Sequence, residues 1–151
     1  MVSATDMPAS GEIAEKTLGG VEREQLVILT PVYNDWRVLR MLLAELDAEL
    51  LANAATASVI VVNDGSQEPA DFSALSLEAI RTVEVLHLRR NLGHQRAITV
   101  GLAYVEANLP CAAVVVMDAD GEDQPKDILR MVAEWRKSDT DKVVFALRKR
   151  R

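Results

Sequence analysis

At 151 residues, with 49% apolar and 26% charged, the chain has the size and make-up of one globular domain with a real core. A formal charge of −6 excludes a broad basic footprint for nucleic acid. The single cysteine, Cys111, excludes an intramolecular disulfide and fits a reducing, cytoplasmic setting, and no apolar stretch approaches the roughly 20 residues that cross a bilayer.

Residues 1–24 are polar and lack the apolar run of a signal peptide; they read as a loosely ordered leader with a short helix over 12–18. From residue 25 onward, strand-like and helix-like patterns alternate. Leu26-Val27-Ile28-Leu29 is a short apolar strand that runs into Thr30-Pro31-Val32-Tyr33-Asn34. Asn34 or Asp35 can cap the next helix, whose Leu39, Leu42, Leu43, Leu46 and Leu50 make one apolar face. Ser58-Val59-Ile60-Val61-Val62 is the second strand, closed by the turn signal Asn63-Asp64-Gly65-Ser66.

A weak, short helix is expected over 71–80, then a third strand over 82–88 and a helix over 95–108 that buries Ile98, Leu102 and Val105. Pro110 ends that helix. Ala112-Ala113-Val114-Val115-Val116-Met117 is the fourth strand; Ile128, Met131, Val132 and Trp135 mark a further helix; residues 142–147 read as a fifth strand. Unbroken Val/Ile/Leu runs belong to strands covered on both faces, and β–α alternation points to the same architecture. The fold class is therefore a doubly wound α/β domain with a mainly parallel sheet.

In such sheets ligands bind at the carboxyl ends of the strands. Those ends carry Pro31-Val32-Tyr33-Asn34, Asn63-Asp64-Gly65-Ser66, Arg90-Asn91-Leu92-Gly93-His94 and Asp118-Ala119-Asp120. An aromatic, carboxylates, a cation and glycines on one rim are the parts a nucleotide needs. Residues two apart in an extended backbone point the same way, so Asp118 and Asp120 should project together and require a cation between them. Few hard oxygen ligands with room for phosphate oxygens suit Mg²⁺ or Mn²⁺. Neither GxGxxG nor GxxxxGK[ST] follows any strand, so phosphate has to be held by metal and side chains. Plainer readings stand beside these: Tyr33 as a core aromatic, residues 63–66 as a mere tight turn, Arg90 as a surface charge, and the acids after 117 as helix caps.

The four motifs, in this order and spacing from residue 26 to 151, resemble family-2 glycosyltransferases of GT-A fold. They are most similar to the polyprenyl-phosphate (dolichol- or undecaprenyl-phosphate) sugar transferases. The resemblance implies that Pro31, Tyr33 and Asp35 line a base pocket, that Asp64 accepts from base or ribose, and that Arg90 approaches the diphosphate or base. Asn63 stands where the family often has a second aspartate, and an amide can still meet a base. Gly93 would let the next helix pack closely, while His94 replaces a frequent lysine and His87 reads as structural. Asp118 and Asp120 resemble the DxD pair, with Asp120 as metal ligand, Asp118 on ribose or metal, and Glu122 joining the metal shell. Asp123 and Gln124 depart from the histidine and proline of the polyprenyl-phosphate subgroup. Arg148 and Arg151 match an R-x-x-R element that can meet phosphate; on composition alone, Arg148-Lys149-Arg150-Arg151 is a solvated terminus.

The implied reaction is metal-assisted, inverting transfer of a hexose from a UDP- or GDP-linked donor to a lipid phosphate or glycan acceptor, in cell-envelope biosynthesis. The expected setting is cytoplasmic, at the membrane's cytoplasmic face, with membrane association through parts outside this chain. Residues 25–151 would form the nucleotide-sugar-binding half, able to bind and unable to turn over alone. Two other classes compete: a non-catalytic nucleotide-binding module, and a sugar-1-phosphate nucleotidyltransferase. The latter calls for a glycine-rich basic loop after the first strand, which Thr30-Pro31-Val32-Tyr33-Asn34 is not.

Overall fold

The computed structural model describes residues 3–4, 25–138 and 143–146. Its elements are β1 (Ser3–Ala4), β2 (Leu26–Val32), α1 (Trp36–Ala52), β3 (Ala57–Asn63), β4 (Ile80–His87), α2 (His94–Asn108), β5 (Ala113–Val116) and α3 (Pro125–Lys137). The sheet order is β1-β4-β3-β2-β5, with β2, β3, β4 and β5 parallel and β1 antiparallel on β4. The expected α/β architecture is present.

Strand alternation sorts the core into two layers. Leu26, Ile28 and Val32 of β2 with Val59 and Val61 of β3 face α1 and α3, against Leu39, Leu43, Leu46, Leu50, Ile128 and Val132. Val27, Leu29, Ile60, Val62 and Leu86 face the other way, onto Ala97 and Val105 of α2. The apolar face read on α1 is buried throughout. On α2 it is rotated: Ala97, Gly101 and Val105 are buried while Leu102 is exposed. The cause is close packing at Gly101, where a Cβ would lie 2.6 Å from Leu29 Cδ1 and 2.7 Å from Val62 Cγ2. Small residues, rather than the largest apolar ones, set the contact with the sheet. Gly93, expected to permit that packing, has open space around it and serves through its φ of 89°.

Three other expectations shift. No helix forms over 71–80. Ser73 is turned by the Asp71 carboxylate, and Asp47 of α1 takes the amides of Glu78, Ala79 and Ile80, leading the chain directly into β4. Burial pushes the Asp47 carboxyl up, but those amides outweigh it and hold the group below the usual carboxylate range. Residues 143–146 are irregular rather than a strand, with Val143 and Phe145 76% and 79% exposed; Lys142 and Leu147 lie outside the described residues. Within the polar leader, Ser3 and Ala4 pair with His87 and Leu86, giving the outer edge of β4 a short partner. The helix read over 12–18 lies outside the described residues.

β2 feeds α1 on one face, whereas β5 is reached from α2 on the other. The strand order thus reverses between β2 and β5. Among the described residues no helix is long and apolar enough to cross a membrane.

Candidate active site

Val32, Asn63 and His87 stand in register at the carboxyl ends of β2, β3 and β4. β5 ends lower, at the Leu29–Val116 pair. Leu29 accepts from the Met117 amide and Val32 from the Asp64 amide. Backbone polar groups alternate sides along a strand, so Pro31 turns its missing N–H toward the side where β5 has already stopped. That is why a proline is tolerated in a central strand. Pro31 itself is buried, whereas Tyr33 (47% exposed) and Asp35 stand at the surface.

The loops above these ends are tied to one another. Asn34, at φ 61°, donates its amide to Ser66 Oγ (2.8 Å) and accepts the Gln67 amide on Oδ1 (3.1 Å). Asp35, not Asn34, is the N-cap of α1, and its side chain makes no capping bond. Asn63 Oδ1 accepts the Ser66 amide (2.8 Å), which leaves Nδ2 to donate to His87 Nδ1 (3.0 Å). Because Nδ2 is a donor, His87 accepts that bond on Nδ1.

Asp64 is 4% exposed. Its Oδ1 accepts the Leu92 amide (2.6 Å) and its Oδ2 the Gly93 amide (3.0 Å). Gly65, at φ 80°, lies so close that a Cβ would meet Asn91 N at 2.6 Å and the Arg90 carbonyl carbon at 2.7 Å. Residues 63–66 are thus a turn welded to the 90–93 loop. Arg90 is exposed on that loop, with no ion-pair partner among the described residues.

The strand-end acids are arranged differently from the sequence expectation. β5 stops at Val116 and residues 119–120 are in a turn, so extended alternation no longer relates Asp118 to Asp120. The Asp118 amide donates to Asp123 Oδ2 (3.0 Å), and the Glu122 amide donates to Asp120 Oδ1 (2.8 Å), with Gly121 at φ 81°. The Asp118 carboxylate lies 3.3 Å from Nε2 of His94, the first residue of α2. That pairing spans two distant segments and carries no sequence signal beyond the strand-end position of both. Asp120 and Glu122 are exposed. Among the described residues no group of three or more His, Cys, Asp or Glu is placed to hold a metal ion, so Asp118, Asp120 and Glu122 are not gathered into a three-ligand set. Arg148 and Arg151 lie outside the described residues.

A groove of about 670 Å³ runs along the outer edge of β5, between that strand, α3 and residues 143–146, with Glu122 and Asp123 at one end. Met131, Trp135 and Phe145 make it largely apolar. It lies beside the sheet edge, not over the converging strand ends. The titratable and aromatic side chains Tyr33, Arg90, His94, Asp118 and Asp120 stand instead at the strand-end rim.

The Glycosyl transferase family 2 profile matches residues 27–151. The chain is 34% identical over 134 residues to a Bacillus subtilis protein named uncharacterized glycosyltransferase YkcC, covering 84% of this chain and 38% of that protein. It is 32% identical over 128 residues to an uncharacterized glycosyltransferase of Synechocystis, with the same coverage of each. An undecaprenyl-phosphate 4-deoxy-4-formamido-L-arabinose transferase of Klebsiella pneumoniae is 30% identical over 114 residues, covering 74% of this chain and 33% of the relative. The chain thus spans 33–38% of the length of these relatives.

Proposed function

This chain belongs to glycosyl transferase family 2, and from that premise we propose that it is the donor-binding part of a hexosyltransferase. The donor is a UDP- or GDP-linked sugar and the acceptor a polyprenyl phosphate, with a glycan hydroxyl as the other acceptor class. One observation carries the reading: the sheet reverses order between β2 and β5, and Tyr33 and the Asp118–Asp120 turn flank that reversal. Open α/β sheets bind ligands in such a crevice.

Tyr33 offers the base an exposed ring and Asp35 an acceptor beside it. Arg90 supplies the cation for the diphosphate. Pro31 and Asn63 shape the floor beneath, because one is buried in β2 and the other has its amide engaged by Ser66 and His87. Asp120, whose Oδ2 accepts nothing among the described residues, is the first metal ligand, with Asp118 second and Glu122 in reach of the same turn. This donor set fits Mg²⁺ or Mn²⁺, which take one or two carboxylates and fill the remaining positions with phosphate oxygens and water; it does not make an all-protein cage. The bound ion would neutralise charge developing on the departing diphosphate. Arg148 and Arg151 are further candidates for phosphate contact.

In the reaction the acceptor oxygen attacks the anomeric carbon opposite the diphosphate. The bond from that carbon to the diphosphate oxygen breaks, configuration inverts, and the nucleoside diphosphate leaves. A phosphate acceptor is already ionised at neutral pH and needs no protein base, whereas a hydroxyl does. The undecaprenyl-phosphate transferase among the relatives supports the lipid phosphate, and with it a setting at the cytoplasmic face of the membrane.

Calorimetric titration of the chain with UDP and with GDP, in Mn²⁺ and in EDTA, tests this. One nucleotide should bind at least about tenfold more weakly without metal, a loss of roughly 1.4 kcal/mol. Equal affinities in the two buffers would contradict a metal-bridged diphosphate.

A further inference from the structure

We propose that Asp64 and His94 are positioning residues for Asp118, acting in series: Asp64 fixes the backbone of residues 92–93, that backbone sets His94, and His94 orients the Asp118 carboxylate. The inference rests on the donor-site reading above and assigns Asp64 a role at one remove from the nucleotide.

Asp64 follows β3, and Asp118 follows β5; β2 lies between them in the sheet. The start of α2 bridges the gap. Both Asp64 oxygens are taken by main-chain amides, Leu92 at 2.6 Å and Gly93 at 3.0 Å, and the residue is almost fully buried. A carboxylate so enclosed and so engaged is poorly offered to a base or ribose, and well suited to hold a loop. Asn91 Oδ1 accepts the same Gly93 amide at 3.0 Å, and Gly65 lies against the Arg90–Asn91 backbone from the other side.

Gly93 is therefore pinned by two side chains in a conformation that L residues rarely adopt, and its carbonyl accepts the Arg96 and Ala97 amides that open α2. The next residue is His94. Its Nε2 reaches Asp118 Oδ1 at 3.3 Å, while the Asp118 amide is fixed by Asp123. Main chain and carboxylate of Asp118 are thus each restrained from a different element. Restraint of a carboxylate by a neighbouring side chain is how outer groups orient ligand carboxylates.

The test is calorimetry on the 151-residue chain with UDP and, in parallel, GDP, each in Mn²⁺ and in EDTA. His94→Ala should weaken the Mn²⁺-dependent affinity about tenfold and leave the metal-free affinity unchanged. His94→Gln, which keeps a side-chain N–H donor, should restore most of the loss. Asp64→Asn should weaken binding similarly, and the Asp64→Asn/His94→Ala double variant should be no weaker than the weaker single, because both act through one contact. Additive losses, or a His94→Ala chain that binds as wild type, overturn the series while leaving the donor site standing. Asp118→Asn is the control for the site: wild-type affinity there would overturn the donor-site reading as well. His94 is about half exposed, so its variants fold and decide the question even if Asp64→Asn does not.

Discussion

Two regions solve opposite problems with the same side chain. At the junction of α1 and β4, Asp47 is buried and saturated by three main-chain amides, so its charge serves the fold. At the strand-end rim, Asp118 is half-buried and Asp120 exposed, held by their own loop and, for Asp118, with His94 3.3 Å away. Environment, not residue type, separates the acid that serves the fold from the acids proposed to meet the ligand. Asp64 sits at the rim and yet resembles Asp47: enclosed and bound to amides.

The contrast is sharpest in stability. Asp47→Ala strands three amide donors, two of them in buried bonds, and should cost about 3 kcal/mol in urea unfolding. Acid should erase the same contribution. Because the folded Asp47 value is lowered, its stabilisation is complete above the unfolded value near 3.8 and disappears as pH falls through the lower, folded value. Wild type should therefore lose more stability than Asp47→Ala on descent below about pH 4; parallel curves would break the comparison. Gly65→Ala comes next, at about 2 kcal/mol, since its φ of 80° and the 2.6 Å approach to Asn91 N both resist a Cβ. It should also weaken nucleotide binding by displacing the 90–93 loop.

Smaller effects belong to the exposed side of the rim. Tyr33→Ala should leave unfolding unchanged and weaken nucleotide binding by about 1 kcal/mol, the lower end for lost base stacking. Unchanged affinity would remove the stacking role. Asp120→Ala should shift stability by less than about 0.5 kcal/mol, as exposed sites do, while abolishing the difference between Mn²⁺ and EDTA titrations. A variant that kept that difference would move the metal off Asp120.

Much of this was legible in the residues because burial writes itself into composition. The runs of β2, β3 and β5 and the leucines of α1 name their elements, and their alternation names the α/β fold. Long-range partners are not written there. Nothing local in residues 71–80 says that Asp47, some thirty positions earlier, will take their amides and replace a helix with an entry into β4. Apolar spacing puts Leu102 on the buried face of α2, whereas close approach at Gly101, a fit between surfaces, fixes the rotation and leaves Leu102 exposed. Position marks the rim acids, but strand alternation does not relate them, because β5 ends at Val116 rather than Met117. His94 beside Asp118 joins two segments that only the crossover through α2 brings together.

The most direct measurement is a map of backbone amide shifts in the 151-residue chain titrated with UDP and with GDP in the presence of Mg²⁺. With the nucleotide that binds, the account predicts perturbations at Tyr33, Asn34, Gly65, residues 90–94 and residues 118–122, flanking the β2–β5 reversal. Shifts confined to Met131, Trp135 and Phe145, in the groove beside β5, would contradict it.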